Sequence, residues 1–143
     1  MIRTLIAALL VAGAAVLPAT AHAKKRKAEK PMEWKGQQGP MEAAVETVAD
    51  AKAWERLWLK IGQDAPDLDF KKFVAVAVFA GEKPTGGFVV EFADTAPAPD
   101  GGIKVKWRLK APDGFASQAF AQPWKVRAFP RPRGAVVVEG PVK

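Results

Sequence analysis

The chain has 143 residues, including one histidine and no cysteine or tyrosine, and its formal net charge is +7. The absence of cysteine excludes disulfides, so the stability of any folded domain has to come from core packing. The basic balance favours acidic partners over basic ones.

Residues 1–23 have the three-part layout of a cleaved secretory signal. Arg3 supplies the positive start, Leu5 to Leu17 form an uninterrupted apolar run, and residues 21–23 end the segment in Ala-x-Ala. As a helix this run is about 20 Å long, shorter than the ~30 Å of a bilayer core. We therefore expect an exported, periplasmic or secreted protein with no integral membrane segment in its mature form.

Residues 24–40 are predicted to be a basic flexible tail, because the segment opens with Lys-Lys-Arg-Lys and has little apolar content. Two interpretations of its charge remain open, a merely solvated start and a contact with an anionic surface. The remaining residues, 41–143, are enough for one hydrophobic core and are predicted to form one domain.

Residues 41–48 suit either a strand or an extension of the next helix, and we predict a strand. The most clearly marked helix of the sequence follows. Asp50 stands at the N-cap position and Gly62 at the helix end. The apolar residues between them have helical spacing: Trp54, Leu57, Trp58 and Ile61. This spacing indicates that both tryptophans belong to a core rather than to a ligand site.

From Phe70 onward the pattern changes to alternating, β-branched runs separated by turn residues. The predicted strands are Phe73 to Ala80, Phe88 to Ala93, Ile103 to Leu109, Trp124 to Phe129 and Ala135 to Glu139. Short strands joined without helical crossovers indicate an antiparallel arrangement. The predicted fold class is therefore mainly β (α+β), a compact antiparallel β-sheet sandwich or small barrel with one packed α-helix.

Catalysis finds little support in the residue types present. His22 leaves with the signal, so neither a Ser-His or Cys-His pair nor a histidine- or cysteine-based zinc site is available, and Ser117 has no activating base. Asp67 and Asp69 are a carboxylate pair, but they lie in a polar stretch before a strand. No glycine-rich nucleotide-binding motif is present. The sequence predicts a non-enzymatic protein without metal or cofactor.

Two groups of cations form a candidate basic face. Lys104, Lys106 and Arg108 alternate with apolar residues along one predicted strand, and Lys125 and Arg127 repeat the alternation on another. A solvated face that discourages aggregation and a surface for an acidic partner are the two interpretations. If the two strands are neighbours, carboxylates have to intervene between the like charges, and Glu91 is predicted to be one of them.

The turn Gly-Glu-Lys-Pro-Thr-Gly-Gly-Phe at 81–88 joins two of the strongest predicted strands. Three glycines and a proline fix an unusual backbone there, which suits either a recognition loop or a simple hairpin turn.

This turn, the basic strand after it and the Gln-Pro-Trp step at 122–124 together resemble the PrcB C-terminal domain, over roughly residues 45–139. That family is named for a subunit that associates with and helps to stabilise a surface protease complex. The resemblance implies an accessory, protein-binding role with a protein partner such as a protease. Nucleic acid is not expected as a partner, because the protein is predicted to be exported. The resemblance also implies partner contacts by Lys83, Pro84, Thr85, Gly86, Gly87, Phe88, Pro123 and Trp124.

Family members often have tyrosine where Phe88 and Trp124 stand here, and the founding protein's lipid anchor has no counterpart in this chain. Membrane tethering is therefore not expected. A weaker resemblance links residues 83–87 and 122–124 to the two inhibitory loops of chagasin-like cysteine-protease inhibitors. Inhibition of a papain-like protease and binding to an envelope component or polyanion through the basic face remain the alternative functions.

Overall fold

A computed structural model describes residues 32–143, which form eight strands and one helix. Their bounds are β1 Glu33–Gly36, β2 Ala44–Val48, α1 Ala51–Ile61, β3 Phe73–Phe79, β4 Val89–Phe92, β5 Ala96–Pro97, β6 Ile103–Lys110, β7 Trp124–Pro130 and β8 Val136–Glu139. The predicted signal, 1–23, and residues 24–31 of the predicted tail lie outside this range. Within the described range no helix is long and apolar enough to cross a membrane.

The strands form two sheets, which confirms the predicted mainly β fold as a sandwich rather than a closed barrel. The first sheet has the order β1-β7-β3-β2 and is antiparallel throughout. In the second sheet β6 pairs antiparallel with β4 and β5 and parallel with β8. The parallel pairing of β8 differs from the antiparallel arrangement predicted, because the chain crosses from the first sheet back to the second before β8 begins.

Helix α1 covers the outer face of the first sheet. The Asp50 carboxylate accepts a hydrogen bond from the Ala53 N–H at 2.8 Å, and Gly62 ends the helix with φ of 83°. The buried residues are the four predicted: Trp54, Leu57, Trp58 and Ile61. The helix, both of its ends and the core role of its tryptophans are therefore confirmed.

The first sheet is buried on both faces, and β3 explains why its sequence is continuously apolar. Alternate β3 side chains enter opposite layers. Ala75, Ala77 and Phe79 pack toward the helix, and Val74, Val76 and Val78 pack toward the second sheet. The sandwich thus has two cores, one on each side of β3 and β7.

The predicted flexible tail extends too far into the chain. Residues 33–36 form β1, an edge strand paired with β7, and the Trp34 ring lies 5.4 Å from the Trp54 ring and 5.9 Å from the Trp58 ring. The apolar contact of Trp34 with the helix fixes this segment in spite of its polar composition. The folded domain therefore begins before residue 41.

Candidate functional site

The turn at 81–88 does not stand free but is fastened to the long loop between β6 and β7. Lys83 and Ala121 exchange two backbone hydrogen bonds, of 2.7 and 3.0 Å, and the Gly86 N–H donates to the Ser117 carbonyl at 3.1 Å. Two chain segments about 35 residues apart are thereby joined into one structure, a two-loop end of the sandwich.

Gly87 explains why the turn needs glycine. Its φ is +92°, a left-handed conformation that other residues adopt only with strain, and a Cβ there would lie 2.7 Å from the Pro112 Cβ. The close approach of the two loops depends on this bare backbone. The glycine-rich motif therefore serves the joining of the loops, which a simple hairpin turn would not require.

The partner-contact residues that the resemblance implies fall into two groups. The turn residues with exposed or half-buried side chains are Lys83, Pro84, Thr85 and Phe88, while Gly87 is exposed and Gly86 is buried.

The second group, Pro123 and Trp124, lies in the interior. Trp124 is 3% exposed and packs edge-on against the Trp58 ring at 5.6 Å, and the Pro123 carbonyl accepts the Ala80 N–H at 2.9 Å. These two residues were expected to contact a partner, but they build the core beneath the turn instead. The Pro-Trp step begins a central strand, and the side chain of its tryptophan points to the helix layer.

Sequence reasoning missed the most exposed aromatic residues of the described chain. Phe115 is fully exposed and Phe120 is 69% exposed, and both lie in the loop that the turn fastens. The available signal was the presence of two phenylalanines in a stretch otherwise made of small and polar residues. We call the surface formed by residues 81–88 and 113–121 the loop platform.

The predicted basic face is divided between the two sheets. Lys104, Lys106 and Arg108 lie on β6, with the intervening apolar residues packed inward. Lys104 pairs with Glu139 of β8 at 3.3 Å, and Arg108 pairs with Glu91 of β4 at 2.6 Å.

Glu91 therefore pairs with a cation of β6, but it does not lie between two neighbouring rows of cations, because β6 and β7 belong to different sheets. The Arg108 hydrogen bond, its largest influence, holds the pKa of the Glu91 carboxyl below its usual value. The row is largely neutralised by its neighbours, which favours the solvated-face interpretation.

Lys125 and Arg127 belong to β7 and lie at the seam between the sheets, apart from the β6 row. Both are partly buried and share one carboxylate, with Lys125 Nζ 3.5 Å from Glu33 Oε2 and Arg127 Nε 3.4 Å from Glu33 Oε1. The Arg127 guanidinium also lies 5.2 Å from the centre of the Phe129 ring. The five cations therefore do not form one continuous face, because β6 and β7 are not neighbours.

Metal-ligating side chains are scattered in the described range: residues 32–143 contain no group of three or more histidine, cysteine, aspartate or glutamate side chains placed to hold an ion. The pair Asp67 and Asp69 lies in the loop between α1 and β3, where Asp69 accepts the Lys71 N–H at 3.0 Å. That carboxylate orders the loop before the strand.

The comparisons with known proteins identify the central part of the fold. Residues 74–130 match the family model described as PrcB C-terminal, and this segment runs from β3 through β7 and includes the whole loop platform. No curated protein and no solved structure matches the chain. The resemblance predicted from the turn and the Pro-Trp step is therefore confirmed for residues 74–130, which are similar to the PrcB C-terminal family.

Proposed function

We propose that this protein is an exported, non-catalytic binding domain that contacts a protein partner through the loop platform. The observation that carries the proposal is the exposure of Phe115 and Phe120 on a loop that backbone hydrogen bonds hold in place. Exposed aromatic side chains on a loop fixed by hydrogen bonds are typical of interaction sites. Such a loop is already ordered before binding, so less conformational entropy is lost when a partner binds.

The chemistry of the platform suits an apolar patch on a protein. Phe115, Phe120 and Pro84 offer apolar surface, and the half-buried Lys83 of the same platform adds one positive charge. Aromatic anchors of this kind often contribute about 2 kcal/mol or more each to an interface, which corresponds to about 30-fold in affinity. The partner is thus a protein surface with an apolar pocket and an acidic margin.

The PrcB C-terminal family supports a partner that belongs to a protease complex. A binding role also agrees with the residue types, since residues 24–143 contain no histidine, cysteine or tyrosine. The inhibitor alternative is weaker, because the Pro123-Trp124 step, which resembles the second inhibitory loop, is buried. The polyanion alternative is also weaker, because the carboxylates of β4 and β8 neutralise the β6 row.

A comparative capture experiment tests the proposal. The F115A/F120A variant removes both platform aromatics, and L59A removes a side chain of similar exposure (78%) on helix α1 as a matched control. In cross-linking followed by mass spectrometry, wild type and L59A are expected to capture the same protein, and the double variant at least tenfold less of it. Equal capture by a folded F115A/F120A variant would contradict the proposal.

A further inference from the structure

Strand β2 leaves an open edge on the first sheet. It pairs with β3 on one side, and within residues 32–143 no strand pairs with its other side. At the end of β3, the Ala80 N–H donates a hydrogen bond to the Pro123 carbonyl beside β7. In an antiparallel sheet the backbone groups of successive residues point to opposite neighbours, so those of Phe79 and Ala77 point to β2. The backbone groups of Val45 and Thr47 therefore point outward, away from the sheet.

An apolar groove runs along one side of this edge. It has a volume of about 380 Å³ and lies between the β2–β3 end of the first sheet and the second sheet. Its apolar lining includes Val45, Ala80, Trp107, Leu109 and Pro141. A strand added to β2 would direct every second side chain to the groove side of the sheet, and those near Val45 would enter the groove.

The other side of the edge is cationic. Arg56 and Lys60 of α1 line a surface depression together with Glu46 and Thr47 of β2. Lys60 forms an ion pair with Glu46, whereas Arg56 has no carboxylate within ion-pair distance among the described residues. The side chains of an added strand that face the helix would thus meet net positive charge.

We propose that the open edge of β2 binds an extended acidic segment of a partner, as an added strand whose apolar side chains enter the groove and whose acidic side chains face Arg56 and Lys60. β2 has five residues, about 16 Å, which is enough to pair a segment of similar length. A second copy of the chain fits less well, because pairing two β2 edges would bring the cationic helix sides of both copies together. The open edge of β2 adjoins the loop platform at Lys83, which lines the groove, but binding there does not require the platform to bind.

The test uses protein expressed from the complete sequence and a fluorescein-labelled eight-residue peptide in which glutamate and valine alternate. Fluorescence anisotropy at low salt is expected to show saturable binding to the wild type. The same peptide with lysine in place of glutamate is expected to bind at least tenfold more weakly. Equal affinity for the two peptides, or no saturable binding of the glutamate peptide, would overturn the proposal.

Backbone pairing is tested by methylating the peptide amides. An antiparallel peptide with valine over the groove uses the valine amides to pair with Val45 and Thr47, and a parallel one uses the glutamate amides. We therefore expect N-methylation of one set to lower the affinity at least tenfold, and of the other set less than threefold. Similar affinities for the parent and both methylated peptides would exclude strand addition.

Variants of the protein complete the test. V45P removes an outward N–H while leaving the β2–β3 hydrogen bonds in place, and is expected to lower the affinity at least tenfold. R56E is expected to lower it threefold or more, and K106E, a matched charge reversal of an exposed lysine on β6, less than twofold.

Two control measurements bear on these variants. Circular dichroism checks that V45P is folded. If V45P does not fold, the methylated peptides still test the β2 edge, because they are measured on the unaltered protein. Analytical sedimentation of wild type and V45P tests whether a second copy of the chain occupies the β2 edge. A wild-type dimer that V45P converts to a monomer would show that another chain occupies the edge, and would overturn the acidic-segment proposal.

Discussion

Trp54 and Trp58 provide a matched pair for testing how the helix layer is stabilised. They lie one turn apart on α1, are 3% and 1% exposed, and both pack edge-on against Trp34. They differ in the indole N–H. That of Trp54 donates to the Pro66 carbonyl at 2.7 Å, whereas that of Trp58 is buried without a hydrogen-bond acceptor in the described chain.

Replacing each tryptophan by phenylalanine should therefore have unequal costs. The apolar surface lost and the cavity formed are similar at the two sites. W54F additionally loses a hydrogen bond, a net cost of about 0.5–1.5 kcal/mol, whereas W58F removes a buried, unpaired donor whose desolvation costs about 1–3 kcal/mol. We expect W54F to be less stable than W58F by ~1.5–4.5 kcal/mol, or about 6–18 °C in melting temperature for a domain of this size.

Urea unfolding followed by far-UV circular dichroism measures both costs. The slopes of the two transitions should agree, so that the midpoints report stability directly. If W58F is as destabilised as W54F, the reasoning is wrong. The Trp58 N–H would then have a partner of its own, such as the face of the Trp124 ring, which lies perpendicular to Trp58 at 5.6 Å.

Two further predictions concern the loops. The Gly102 N–H, which donates to the Asp100 carboxylate at 2.9 Å, is the largest influence holding the Asp100 pKa below its usual value. The stabilisation by the ionised Asp100 is present above its unfolded-state pKa and is lost as the pH falls through its lower folded-state pKa. The D100A variant should therefore lose less melting temperature than the wild type when the pH is lowered through this range. An equal loss in the two proteins would contradict this. G87A should lower the free energy of unfolding by about 1–3 kcal/mol because of the positive φ, and by a further amount because of the clash with Pro112. G114A has φ of +86° but no atom within 4 Å of an added Cβ, so it should lose only the contribution from φ. Thermal melts compare the two variants, and equal losses would show that the loops separate easily.

The sequence predicted what depends on local spacing. Helix α1 and its caps follow from residues within one or two turns of each other. The long strands follow from patterns within seven or eight residues, a continuous apolar run in β3 and alternation in β6. These elements were predicted with small errors at their ends. The second strand, for example, begins at Ala44 rather than at Met41.

Pairings between distant segments could not be predicted in the same way. β1 consists of four residues in a polar, glycine-rich stretch, and its partner β7 lies about 90 residues later in the chain. Trp34 fixes β1 against the helix, but a single tryptophan shows no hydrophobic periodicity from which a strand could be predicted. The division of the basic face has the same cause, because the alternation in β6 and β7 says nothing about whether the two strands are neighbours.

The same limit explains the error at Pro123 and Trp124. A motif that resembles a binding loop shows which residues belong together, but not which of them face outward. A Cβ at Gly36 would lie 2.6 Å from the Trp124 indole and one at Gly39 2.7 Å from it, so the backbone at the end of β1 and just after it packs directly against this ring. This packing joins segments far apart in the sequence, and it buries Trp124. The surface that we expect to contact a partner is therefore formed by residues 113–121 rather than by residues 122–124.

Lys83 connects the two proposed surfaces. It belongs to the 81–88 turn, where its backbone holds Ala121 beside Phe120, and its side chain lines the groove next to β2. A partner segment lying along β2 would therefore reach the loop platform at the end of the groove, with an acidic side chain able to meet the Lys83 ammonium there. The turn that first marked the sequence thus lies where the two proposed surfaces meet.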